Sequence, residues 1–147
     1  MKIKYIPIIG TISSGKSTFL KAFLGVNMLQ TGASTTTKFV CIIKNSFKNC
    51  FYHVIPKNKN GIKFIKEGDE ITDVEEIKKK IEHINYNLSE KVCSKNDIFY
   101  ILETPIKNIK NVELLNSCYF MDIPGLNENK ATYIEDIFSF NPGISIK

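Results

Sequence analysis

Apolar and polar positions follow two periods along this chain, and the changes from one to the other divide it into elements. Ile3, Tyr5, Ile6, Ile8 and Ile9 make the dense apolar run of a buried strand. After a polar gap the spacing lengthens: Phe19, Leu20, Phe23 and Leu24 fall on one face of a helix that Gly25 can stop. The apolar run Phe39 to Ile43 predicts the next strand. Phe51 to Pro56 and Ile62 to Lys66 predict two short strands, with Asn60-Gly61 supplying turn chemistry between them. Thr72-Asp73-Val74-Glu75 has the form of a capping box, and Val74, Ile77, Ile81, Ile84 and Leu88 continue it as an amphipathic helix of about four turns. Its apolar stripe reads as core packing, with a partner-binding face as the competing reading. Lys91 to Asp97 reads as a loop, Ile98 to Glu103 as a strand, and Cys118 to Met121 as another that ends at Asp122. A short helix from Ala131 to Phe138 is expected before a frayed tail at 139–147, where Pro142-Gly143 breaks any regular element. Strands alternating with helices predict a three-layer α/β sandwich over residues 1–138, with a mainly parallel sheet. Its central strand should end at Gly10 and that strand's neighbour at Asp122.

The link between the first strand and the first helix carries the chemistry. Gly10-Thr11-Ile12-Ser13-Ser14-Gly15-Lys16-Ser17 is a G-x-x-x-x-G-K-[ST] phosphate loop in the context such a loop requires. Glycines at both ends let the backbone wrap closely around phosphates, so that N–H groups from Ser13 through Thr18 and the helix N-terminus face the anion. Lys16 adds a mobile charge at the β/γ-phosphates, and Ser17 a hydroxyl for Mg²⁺. A nucleoside triphosphate with Mg²⁺ is the expected ligand.

A second motif lies at Asp122-Ile123-Pro124-Gly125, where a carboxylate at a strand's end can orient a metal-bound water and Gly125 can bring a backbone N–H to the γ-phosphate. The bland reading is a strand ending in a Pro-Gly turn; the upstream loop favours the functional one. Between the motifs, Leu29-Gln30-Thr31-Gly32-Ala33-Ser34-Thr35-Thr36-Thr37 is a polar stretch whose threonine could close over Mg²⁺ when a γ-phosphate is present.

Composition narrows the classes. A chain of 147 residues with 43% hydrophobic content is one domain with a core. Its net charge of +5 comes from lysine alone, since there is no arginine, and the lysines are interspersed with acids. That reads as a solvated surface rather than a nucleic-acid patch. It also means that no arginine finger is supplied in cis to a phosphoryl-transfer transition state. Cys41, Cys50, Cys93 and Cys118 lack metal-ligand spacing and read as reduced thiols of a cytoplasmic protein. No apolar run approaches the ~20 residues of a membrane span. His53 and His83 stand alone, one in a strand and one in a helix, which argues against catalytic roles.

In order and type, these motifs resemble those of the dynamin-like GTPases. The phosphate loop, a Leu-Pro-Thr-Gly-x-x-Pro-Thr-Thr-like switch at Leu29 to Thr37 and an Asp-x-Pro-Gly segment at 122–125 recur in that sequence, although Gln30 and Thr35 stand where prolines are common. The long interval between Gly10 and Asp122 is similar to the family's insertion relative to small Ras-type domains. The resemblance implies Mg²⁺-dependent GTP binding and hydrolysis, with Lys16, Ser13 and Thr37 in catalytic roles and Ser17, Thr37 and Asp122 around the metal; Thr36 is the alternative to Thr37. It also implies pairing of two copies across the nucleotide face, and lipid contact, if any, through parts outside residues 1–147. Two departures qualify it. Ile12 stands where many members carry a water-ordering glutamine, and no [NT]-K-x-D guanine-reading motif occurs, Asn129-Lys130-Ala131-Thr132 lacking the acid. The sequence is therefore expected to be the N-terminal part of a G domain, a fragment or a truncated product. A nucleotide-binding switch or scaffold without turnover and an ATP-using P-loop protein are the alternatives.

Overall fold

The computed structural model describes residues 3–8, 19–26, 28–29, 39–57, 63–90 and 95–123. Within them six strands form one sheet: β1 (Lys4–Ile8), β2 (Val40–Asn45), β3 (Cys50–Lys57), β4 (Lys63–Ile71), β5 (Phe99–Thr104) and β6 (Cys118–Asp122), in the order β1-β6-β2-β5-β3-β4. The helices are α1 (Phe19–Leu24), wound as a π-helix, α2 (Val74–Glu90) and α3 (Val112–Ser117). The α/β architecture expected from the sequence is present, but its sheet is mixed rather than mainly parallel. β1–β6 and β2–β5 pair parallel, whereas β6–β2, β5–β3 and β3–β4 pair antiparallel. The cause is local connection length. The turn at 46–49 reverses the chain between β2 and β3, and the short link after β3 returns β4 along it, which only an antiparallel arrangement permits. Among the described residues β1 is a terminal strand, not the central one, with β6 alongside it.

Strict alternation sorts the strand side chains onto two faces. Cys41, Ile43, Phe51, Leu102 and Phe120 point to one, where Leu20 and Leu24 of α1, Ile77, Ile81 and Ile84 of α2 and Leu115 of α3 cover them. Val40, Ile42, Val54, Phe99 and Met121 form the second cluster on the other face. The α2 stripe is thus core packing, as its spacing predicts. Its start is shifted by one residue, because Asp73 rather than Thr72 caps it: the Glu76 N–H donates to Asp73 Oδ2 at 3.0 Å. α3 escapes the hydrophobic pattern, since six residues are too few to show a period; its Asn111 cap, accepting from the Leu114 N–H at 3.1 Å, is the sequence cue. Gly25 ends α1 in the left-handed region at φ 71°, as expected of a stop, and the Asn108 side-chain amide donates to the Ala22 carbonyl in the last turn. The expected turn at Asn60-Gly61, the helix at 131–138 and the tail lie outside the described residues.

The β3–β4 hairpin appears as the two short runs suggest, but β4 continues to Ile71. The pairing shifts opposite Tyr52, between Phe51↔Ile71 and His53↔Glu67, and Gly68 at φ 79° supplies the backbone for that bulge. A polar cluster gathers there. Tyr52 donates to Glu103 at 2.7 Å, Lys66 pairs with Glu70 at 2.9 Å, and the Lys66 ammonium lies 5.2 Å from the Tyr52 ring centre. Burial, then the hydrogen bond to Glu103, raises the Tyr52 phenol. Burial, followed by a hydrogen bond to Glu70, pushes the Cys50 thiol up from 9.0 to about 11. The hydrogen bond to Glu70 raises Lys66 and that to Lys66 lowers Glu70, so the pair is held charged.

Two outcomes follow from this packing. Phe51 is 1% exposed and stacks on Tyr100 with ring centres 5.3 Å apart, so Phe51→Ala should lower unfolding stability by about 3–5 kcal/mol. In the same urea titration that measures this loss, Lys79→Ala at an exposed position should cost well under 1 kcal/mol. The raised Cys50 thiol stabilises the fold fully below its ordinary value of 9.0, and that contribution is lost as pH rises through about 11. At pH 9 alkylation of Cys50, followed by mass spectrometry of its peptide, should run at least ~10-fold slower in the folded protein than after denaturation.

Candidate functional site

The phosphate-loop stretch at 10–18 joins two described elements, the end of β1 at Ile8 and the start of α1 at Phe19. This is the strand-to-helix connection its sequence requires. Gly10, Ser13, Ser14, Gly15, Lys16, Ser17 and Thr18 themselves lie outside the described residues, as do Thr36, Thr37 and Gly125. Asp122 is the sequence-predicted site residue that the structure describes.

Its position follows from strand register. β6 runs parallel to β1, pairing Lys4 with Cys118 and, at the other end, Ile8 with Asp122. The next backbone bond, from the Ile123 N–H to the Ile8 carbonyl at 3.2 Å, carries the pairing one residue further. The carboxylate therefore stands at the carboxyl end of its strand, directly beside the strand from which the phosphate loop departs. Asp122 is 1% exposed, and Ile8, Met121 and Ile123 around it are buried apolar residues. Period-two alternation places its side chain on the same face as Phe120, the face that α1 covers.

On the other side of β6 the antiparallel register sets Cys41 opposite Asp122. The sequence reads Cys41 only as a reduced thiol; its neighbourhood with Asp122 is a cross-strand relation between positions far apart in the chain, with no local signal. The thiol is fully buried. A buried carboxylate at a strand end is a ligand type suited to a hard cation and its waters. Among the described residues no cluster of three or more His, Cys, Asp and Glu forms a protein-only metal site, so a cation here would draw on the phosphate loop and the nucleotide as well.

The two histidines have structural partners. His53 donates from Nε2 to the Asn96 carbonyl at 2.6 Å, and His83 Nε2 accepts from the Asn87 amide at 2.9 Å. No helix among the described residues is long and apolar enough to cross a membrane.

Among curated proteins, none matches this sequence. Two similar solved structures come from work on an oligomerised bacterial dynamin pair, described as a mechanism for the long-range sensing and tethering of membranes. They share 21% and 22% identity with this chain, with a TM-score of 0.49 in each case, and the alignments take in 94% and 95% of it. The chain spans 18% of the length of either. A family model described as the dynamin family matches residues 6–137, a span that opens in β1, takes in the phosphate loop and the switch-like stretch, and runs past Asp122 and Gly125. With nearly the whole chain matched and its two motif-bearing strands lying side by side, the chain belongs to the dynamin family.

Proposed function

We propose that this chain binds GTP with Mg²⁺ at the end of the β1–β6 pair and forms part of a GTPase module. The observation that supports this is the register of Ile8 with Asp122, which sets a buried carboxylate beside the strand that feeds the phosphate loop. In this reading backbone N–H groups of Gly10 to Thr18 bind the α- and β-phosphates, Lys16 neutralises charge between the β- and γ-phosphates, and the Gly125 N–H reaches the γ-phosphate. Ser17, Asp122 and Thr37 hold Mg²⁺ or its waters, with Thr37 engaged only while the γ-phosphate is present. The metal ion supplies charge compensation for the phosphate oxygens. Ser13 contacts phosphate or a charge-compensating cation. The preference for guanine and pairing of two copies across the nucleotide face come with the family reading, and a cytoplasmic location with the reading of the cysteines as reduced thiols.

Ile12 and the absence of arginine favour a second reading, nucleotide binding with little turnover. Isoleucine cannot hydrogen-bond the attacking water, and charge stabilisation in the transition state would fall to Lys16 and the metal, or to a partner.

Lys16→Ala should weaken binding of a fluorescent GTP analogue by about 10- to 100-fold, the range for a charge-assisted hydrogen bond. Equal affinity in mutant and parent would remove the phosphate-loop assignment. Asp122→Asn should flatten the Mg²⁺ dependence of that binding. Thr37→Ala should spare GDP while reducing the preference for a non-hydrolysable triphosphate; if Thr36→Ala behaves this way instead, the metal-contacting threonine is Thr36. Parallel turnover assays with GTP and ATP separate the GTPase from the switch and from an ATP-using protein.

A further inference from the structure

Helix α1 stops at Gly25, but its last turn is bonded in an unusual way. In a glycine-capped α-helix the residue after the glycine donates its N–H five residues back and the glycine donates three back, which here would join Val26 to Lys21 and Gly25 to Ala22. The Val26 N–H instead reaches one residue further, to the Leu20 carbonyl at 2.9 Å, in keeping with the π-winding of Phe19–Leu24. The Ala22 carbonyl is taken by a side chain 86 positions away in the chain, the amide of Asn108.

The segment that carries Asn108 is firmly held. It leaves β5 at Thr104, whose hydroxyl donates to Asn49 Oδ1 at 2.7 Å and whose carbonyl accepts from the Ser46 N–H at 3.1 Å, and the Ile106 N–H donates to Asn45 Oδ1 at 3.0 Å. Ile106 is buried, and Ile109 partly so, in the apolar cluster that also contains Leu20 and Leu24. Asn108 lies close against the end of α1: a Cβ added to Gly25 would stand 3.5 Å from its amide nitrogen. Next to them Gly25, Val26, Met28 and Lys107 help to line a cavity of about 180 Å³, which gives the end of α1 room to change its winding without displacing the core.

Two windings therefore compete for the last turn of α1. The ordinary one satisfies the Ala22 carbonyl from within the helix, whereas the wide one leaves it to Asn108, whose amide thus favours the wide form. Asn108 is exposed, so its bond adds little to global stability and acts on which winding is populated. π turns are rare and recur at functional sites. We propose that Asn108 is a positioning residue for the nucleotide: by holding α1 in its wide winding it sets where the helix receives the phosphate loop, the stretch 10–18 that joins β1 to α1. Leu20 and Leu24 anchor the helix in the core, so a slip of one residue between windings shifts the backbone ahead of them by about 1.5 Å along the axis. A misplacement of about 1 Å can cost ~100-fold where function depends on geometry. The inference rests on the phosphate-loop reading proposed above and extends it to a residue outside every motif.

Two substitutions in the full chain test it. Asn108→Asp keeps the shape of the side chain and removes the donor, and Asn108→Ala removes it without adding charge. Both should weaken binding of a fluorescent GTP analogue with Mg²⁺ about 3- to 10-fold, the shift in population that one hydrogen bond can make. Nuclear magnetic resonance couplings across hydrogen bonds read the winding itself: the Val26 nitrogen should couple to the Leu20 carbonyl carbon in the parent and to the Lys21 carbonyl carbon in both variants. Asn49→Ala removes the neighbouring tie to Thr104 and should leave both the affinity and the Val26–Leu20 coupling unchanged. Unchanged circular dichroism establishes that each variant is folded. Parent affinity in both Asn108 variants, a Val26–Leu20 coupling retained in them, or an equal loss of affinity in Asn49→Ala would each overturn the proposal. A parent chain that does not bind the analogue, or that binds it equally after Lys16→Ala, overturns the phosphate-loop reading and this inference with it; binding that Lys16→Ala weakens and the Asn108 variants do not overturns this inference alone.

Discussion

Strand β6 has to satisfy its backbone on both edges. Four of its five residues are buried, and no water reaches their N–H and C=O groups, so each needs a partner in a neighbouring strand. β1 supplies one set from a parallel direction and β2 the other from an antiparallel one. The two constraints together fix where Asp122 stands. A slip of one residue on either side would turn Phe120 and Met121 to the wrong faces and break both apolar clusters, so the hydrophobic core enforces the register that aligns the carboxylate with Ile8.

The remaining architecture is organised outward from that strand. β2 and β5 extend the sheet as a parallel pair, and the β3–β4 hairpin completes it with a polar, bulged edge. β4 is exposed along most of its length and rich in charge, features that discourage further strand addition. The helices α1, α2 and α3 meet one face of the sheet, and the Asn108 amide bonded to the Ala22 carbonyl ties α1, which follows the phosphate loop, to the segment beyond β5. Asp122 and the end of α3 therefore stand at opposite ends of β6.

Much of this was legible in the residues. β1, β6 and the α2 stripe were visible because each has a strong period and recognisable ends, and the phosphate loop because eight positions in one short stretch carry its chemistry. The sheet's directions were harder to read. Hydrophobic runs such as Val40 to Ile43 look the same whether their partner runs with or against them, so a mainly parallel sheet was the natural expectation for alternating strands and helices, and the mixed one emerged only from pairings between distant residues. Likewise Cys41 beside Asp122 is a product of register. β4 runs five residues beyond the apolar run that ends at Lys66, because the bulge opposite Tyr52 absorbs Gly68 without ending the strand. Of the candidate site, Asp122 is described at the position its motif predicts, while the phosphate-loop residues and Thr37 rest on their sequence pattern and on the elements that flank them.

The β1–β6 pairing also has a consequence for how the protein is made. Ile8 is joined in register to Asp122, a separation of 114 positions along the chain. A ribosome adding about 5–20 residues per second leaves the first strand without its partner for roughly 6–23 seconds. The β3–β4 hairpin, closed by a short link, can form within that interval, but the apolar side chains of β1 must wait through it in a nascent chain that has nowhere in this sheet to put them. The pairing of β1 with β6 is thus among the last to form during synthesis, and until it does, β1 is open to chaperones and to mispairing with another nascent chain.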